Sequence, residues 1–169
     1  MRAGGVTLAI AVALVLQTLL TRFLVRGTIA VDLVLVVVVY VALMSGPVTG
    51  LLAGTVAGLL QDSLSTGVIG IGGLAKTVVG FLAGITGTQF IVARPVPRFL
   101  VFFAATLLHQ TMTIGLGVVL GLRVLGSPYA AVAGQALGNA LVGVAAFQLV
   151  ELLPGAVERR RMARTRLRR

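Results

Sequence analysis

The sequence predicts an all-α polytopic membrane protein, a bundle of six transmembrane helices. Of its 169 residues 58% are hydrophobic and only 11% charged, with a mean hydropathy of +1.10. A soluble domain of this length has too much surface for its volume to hide that much apolar area. The apolar residues fall into six runs separated by charges, prolines or glycines, as successive spans would be. All five prolines, at 47, 95, 97, 128 and 154, stand at run boundaries, where a missing N–H does least harm.

Helix one is expected from Val6 to Phe23, closed by Arg22 and Arg26. Arg2 before this apolar run resembles a signal peptide, but no A-x-A cleavage site follows, so the run reads as a retained helix. Helix two, Ile29 to Met44, is rich in valine, which lipid tolerates, and Asp32 near its start suits a helix N-terminus. Gly46-Pro47 turns the chain tightly into helix three, which runs to Gln61. DSLSTGVIG is a polar-to-glycine turn, and helix four follows from Gly72 to Val92. ARPVPR is a linker; helix five lies between Arg98 and Arg123, and helix six between Pro128 and Leu153 with Ser127 as N-cap. Residues 1–154 thus form one transmembrane domain and 155–169 a basic tail. Helices two and three fall short of the ~20 residues of a perpendicular span, so they are expected to tilt or to thin the bilayer.

The net charge is +10, and half of the fourteen basic residues are tail arginines: Arg159, Arg160, Arg161, Arg164, Arg166, Arg168 and Arg169. This reads as topology, with lipid contact second, rather than as nucleic-acid binding. With both termini cytoplasmic the inner side carries these seven with Arg2, Arg94 and Arg98, and the outer side only Arg22, Arg26 and Arg123. No cysteine is present, and one histidine with four scattered acids makes a poor metal set. Walker A, HExxH and GxSxG motifs are missing, so the sequence points to no enzyme and no cofactor.

The stretch GPVTGLLAGTVAGLLQDSLSTGVIGIGGLAKTVVGFLAG, residues 46–84, organises the chain. Gly46, Gly50, Gly54 and Gly58 recur every four residues along nearly one helix face, and Gly80 and Gly84 follow in the next segment. In water each would cost a helix about 1 kcal/mol relative to alanine. In lipid the helix persists, because unsatisfied backbone costs more, and the glycine face admits a close neighbour or partner.

Polar residues at membrane depth are the functional candidates. Asp62 and Lys76 lie at similar distances from the turn centre near Val68, so a structural ion pair is the first reading, ahead of a transport role. An unpaired charge at mid-membrane costs about 2.5–3.5 kcal/mol on insertion scales. His109 and Gln110 stand midway along helix five. Gln135 and Asn139, four apart on helix six, share one face and are natural hydrogen-bonding partners for them. A proton relay through His109 needs a carboxylate at its depth, and Asp32 and Glu151 are both expected near membrane surfaces.

With DLVLVVVVYVAL in helix two, the glycine-rich helix ending in GLLQD, and the LLHQ stretch of helix five, the chain resembles the rod shape-determining protein MreD family, most strongly from Asp32 to Gly84. The resemblance implies a non-enzymatic scaffold of the elongasome in the bacterial inner membrane, serving cell shape and peptidoglycan synthesis. It implies MreC as partner and, through it, MreB, RodA and a class B penicillin-binding protein. It also implies a bundle similar to the S-components of energy-coupling-factor transporters, but carries over no ligand-binding residue.

Two other readings stand beside the scaffold. A solute-binding S-component-like transport subunit is suggested by the A-x-x-x-A spacing of Ala9 and Ala13, against a helix one–two connection too short for a lid and a lack of tryptophan. A proton-coupled transporter would use Asp62, Lys76 and His109.

Overall fold

The computed structural model describes residues 3–23, 31–65, 67–89, 94–122 and 129–166, with side chains except at 3, 21–23 and 153–166. Its helices are α1 (Ala3–Phe23), α2 (Leu33–Ser45), α3 (Pro47–Leu64), α4 (Ile71–Gln89), α5 (Pro95–Val119) and α6 (Tyr129–Arg166). Ser127, Arg2, Arg26, Arg123, Arg168 and Arg169 lie outside the described residues, as do the side chains of Arg22, Arg159, Arg160, Arg161, Arg164 and Arg166.

Several helix limits differ from the sequence reading: α1 starts at Ala3 rather than Val6, α2 at Leu33 rather than Ile29, and α3 runs on to Leu64. Helix α5 starts at Pro95, inside the expected linker, because its first-turn N–H groups need no intrahelical partner and proline is tolerated there. Helix α6 does not stop near Leu153; its backbone stays helical through Pro154 to Arg166, with one N–H fewer in its ladder.

Helices α4, α5 and the Tyr129–Leu152 part of α6 are long and apolar enough to cross a membrane. Gly4–Leu20 and Leu33–Ser45 are shorter apolar helices. Helix α2 has 13 residues, about 20 Å at 1.5 Å each, against a hydrocarbon core of about 30 Å. Gly46 limits one end, its φ of 88° ending the helix while its N–H bonds Ala42 O at 2.9 Å.

The short valine helix is the hub. Rather than facing lipid, Val34, Leu35, Val36, Val38, Val39, Val41 and Ala42 are all buried, as expected of a helix apolar all round. One side, with Leu35, Val36, Val39 and Ala42, packs on Val79 and Ala83 of α4, Phe102 and Ala105 of α5, and Ala140 and Phe147 of α6. The opposite side, with Val34, Val38 and Val41, packs on Val6, Ile10 and Ala13 of α1 and Ala53 and Ala57 of α3.

Helices α3 and α4 form an antiparallel hairpin in backbone contact. A methyl on Gly50 would strike the carbonyl of Gly80, one on Gly54 the carbonyl of Lys76, and one on Gly58 the Cα of Gly73. From α4, one on Gly80 would strike the carbonyl of Gly50 and one on Gly84 the backbone at Pro47. Gly46 is looser; its nearest neighbour would be Thr88 Cγ2 at 3.8 Å. The Thr55 and Thr77 hydroxyls bond across the seam at 2.9 Å. These glycines therefore serve contact within the chain, and a partner helix must use other faces.

Candidate functional site

At the end of the bundle formed by the start of α2, the α3–α4 turn and the latter half of α5, polar side chains gather around a cavity of 390 Å³. Helix α2 begins there inside the protein, so its first N–H groups need partners other than water. The Asp32 N–H donates to Asn139 Oδ1 on α6 at 2.9 Å, and Leu33 N–H to Gln17 Oε1 on α1 at 2.8 Å. Leu35 N–H donates to Asp32 Oδ1 at 3.0 Å, making Asp32 the N-cap. Asn139 Nδ2 then donates to Thr106 on α5 at 3.1 Å, and Gln17 Nε2 to the Val31 carbonyl at 3.1 Å. Three helices thus hold one helix end in place.

The other carboxylate oxygen of Asp32 pairs with Lys76 Nζ at 3.0 Å, both side chains being almost fully buried. Lys76 Nζ also lies 3.1 Å from His109 Nε2 on α5. Lys76 offers only protons, so Nε2 accepts and the ring proton of a neutral His109 sits on Nδ1. Gln61 Nε2 approaches Asp32 Oδ1 at 3.4 Å. Gln61 Oε1 and His109 Nδ1 are buried with no hydrogen-bond partner among the described residues.

The expected Asp62–Lys76 ion pair does not form. Asp62 Oδ2 instead accepts from Gly70 N–H at 2.8 Å and Gly73 N–H at 3.0 Å. It closes the hairpin by satisfying orphan donors at the start of α4, and a carboxylate there meets the positive end of the helix dipole. That leaves Lys76 to Asp32 at the start of α2, with His109 of α5 on its other side. The sequence reading missed this pairing because it weighed Lys76 only against Asp62, the acid across the hairpin turn.

Of the other polar candidates, Gln110 Nε2 donates to Gln135 Oε1, joining α5 and α6. Asn139, grouped with Gln135 by spacing, turns instead to Asp32 and Thr106. Neither Gln135 nor Asn139 bonds the His109 ring, which Lys76 occupies. Towards the other end of α5, buried Arg98 pairs with Glu151 of α6, Nη1 to Oε2 at 3.0 Å, and its guanidinium lies 4.4 Å above the Phe147 ring. Sequence reasoning passed over Gln17, although an amide inside the apolar run from Val6 to Leu20 is a signal of the same kind as Gln110. Thr106 and Thr113 carried no such signal, since a threonine in a lipid helix usually bonds its own backbone, as Thr113 does to the His109 carbonyl at 2.9 Å.

Among the described residues no three His, Asp or Glu side chains are placed to hold a metal ion. A second cavity, of 300 Å³ between α4 and α5, is apolar and lined by residues such as Val79, Leu82, Leu100 and Leu108.

No curated protein and no solved structure matches the chain. The family model described as rod shape-determining protein MreD matches residues 4–153, which takes in every described helix as far as the end of the apolar part of α6. This chain, built as a helical membrane bundle on a glycine-seamed hairpin, belongs to the MreD family.

Proposed function

We infer that the chain is a membrane protein with a role in determining rod shape, a reading supported by its family membership and its long apolar helices. We propose that the chain is a non-enzymatic scaffold of the elongasome in the bacterial inner membrane, with both termini cytoplasmic. It engages MreC directly and, through MreC, acts with MreB, RodA and a class B penicillin-binding protein to control peptidoglycan synthesis. The family match over residues 4–153 carries this reading.

The bundle supports it in one further respect. Its glycine faces are spent inside the chain, whereas large apolar side chains point outward from α1 (Leu8, Val12, Val15, Leu19) and from α3 (Val48, Leu52, Val56). Those faces are open to lipid or to a partner helix.

The experiment is a single-cysteine crosslinking scan, clean because the chain has no cysteine. Cysteines at Leu8, Val12, Leu52 and Val56 are expected to crosslink to MreC in membranes, and cysteines at Gly50 or Gly54 are not. Absence of any crosslink to MreC, with failure to co-purify in mild detergent, overturns the proposal.

A further inference from the structure

The apolar cavity between α4 and α5 is a groove on the side of the bundle. It holds 300 Å³ and is lined by Val79, Leu82 and Thr86 of α4 and by Leu100, Val101 and Leu108 of α5. Leu82 and Leu100 are exposed, so the groove opens outward. Along α5 it runs from Leu100 to Leu108, about 12 Å at 1.5 Å per residue. That is close to one leaflet, half of a hydrocarbon core of about 30 Å. Size then chooses between the two apolar occupants that a membrane offers. A helix about 10 Å across fills roughly 400 Å³ per turn and crosses the whole core. The groove holds less than one such turn and spans less than one leaflet, which suits a single acyl chain.

Charge says which lipid. Arg94 is exposed at the N-cap of α5. It stands seven residues before Val101 and fourteen before Leu108, which places its Cα on their face of the helix. Helix α5 has 25 residues, about 37 Å, so its first turn reaches past the hydrocarbon into the headgroups. Arg94 lies there, about 9 Å beyond Leu100. One turn on, Arg98 is matched by Glu151. Arg94 adds its charge to the positive end of the α5 dipole, where an anion is favoured, and the first turn contains no acid. Asp32 and Asp62 belong to the opposite end of the bundle, and Glu158 is followed directly by Arg159, Arg160 and Arg161.

We propose that the α4–α5 groove holds one acyl chain of an anionic phospholipid whose phosphate rests on Arg94. The lipid covers a face that the scaffold reading leaves unassigned. The proposal does not depend on that reading, since capture of MreC and lipid occupancy are measured separately.

The chain has no tryptophan, so Leu100→Trp gives a single fluorescent reporter at the groove. Full-length protein is reconstituted in phosphatidylcholine vesicles, and quenching by brominated phosphatidylglycerol is compared with quenching by brominated phosphatidylcholine. Leu52→Trp is the control. Leu52 is five residues after Pro47 as Leu100 is five after Pro95, and the two are 57% and 59% exposed. The expected result is a preference for phosphatidylglycerol of about fivefold at Leu100→Trp, as one arginine on an anionic headgroup gives, and none at Leu52→Trp. Adding Arg94→Gln is expected to abolish the preference, and so is Ala104→Phe, which fills the groove from its open side. Equal quenching by the two lipids at Leu100→Trp overturns the proposal. An equal preference at Leu52→Trp shows attraction to the basic chain as a whole, and weak quenching by both lipids shows a groove covered by protein; each overturns it. A preference that survives Arg94→Gln overturns the phosphate contact. The comparison of Leu100→Trp with Leu52→Trp decides the main point even if Ala104→Phe fails to fold.

Discussion

Lys76 Nζ on α4 stands 3.0 Å from Asp32 Oδ2 at the first turn of α2, with both side chains buried. The pair ties the hub helix to the glycine hairpin, and its energetics are asymmetric. Removing one partner leaves an uncompensated buried charge, which costs about 3–5 kcal/mol, whereas removing both costs far less. Asp32→Asn or Lys76→Met alone is therefore expected to lower the thermal unfolding midpoint in detergent sharply. The double variant should recover most of the loss. Additive losses in this cycle would show that the two charges do not interact.

The hairpin seam predicts a sharp positional contrast. Gly54→Ala places a methyl against the Lys76 carbonyl, and Gly134→Ala meets nothing within 4 Å. Helix α3 has to move away from α4 in the first case, at about 1–3 kcal/mol or more. In the second, alanine removes the helix cost of glycine and is neutral to slightly stabilising. Thermal unfolding of the two variants side by side checks the contrast.

Amides that bridge helices should rank by burial. Asn139→Leu strands the Asp32 N–H and removes the bond to Thr106, with an expected loss of about 1–3 kcal/mol. Gln110→Leu removes one half-buried link to Gln135, worth about 0.6 kcal/mol in a membrane bundle. Equal losses in a reversible unfolding assay would contradict the ranking.

Arg98 should not be replaceable by lysine. It holds Glu151 through two nitrogens and lies over the Phe147 ring, and an ammonium does not reproduce the two-nitrogen grip. Arg98→Lys is expected to destabilise by about 1 kcal/mol or more. Glu151→Gln should cost less, because the Glu151 side chain is 56% exposed and exposed ion pairs contribute little. Salt titration of unfolding in the native chain and in Glu151→Gln separates the screened part from the packed part.

Periodicity and punctuation made most helices legible, since Gly46-Pro47 and the 65–70 turn mark real reversals. The polar candidates Lys76 and His109 were legible because a charge or imidazole in an apolar run has few bland explanations. Their partners were not. Pairing by distance from a turn compares only the two helices that the turn joins, and Asp32 of α2, packed against both, takes Lys76 from Asp62. The burial of the valine helix was hidden for a related reason: a run apolar on every side reads alike whether lipid or protein surrounds it. That His109 Nδ1 and Gln61 Oε1 lack partners among the described residues follows from side-chain orientation, which no spacing rule encodes.

Gly50 and Gly80 each present a bare backbone to the other's carbonyl, and this limits how the chain can evolve. In most helix contacts a larger residue on one side is accommodated by a smaller one opposite. Here both positions already hold the smallest residue there is, so no reciprocal exchange exists. The two sites form a locked register, in which a mutation at either must be reverted or must remodel the whole hairpin.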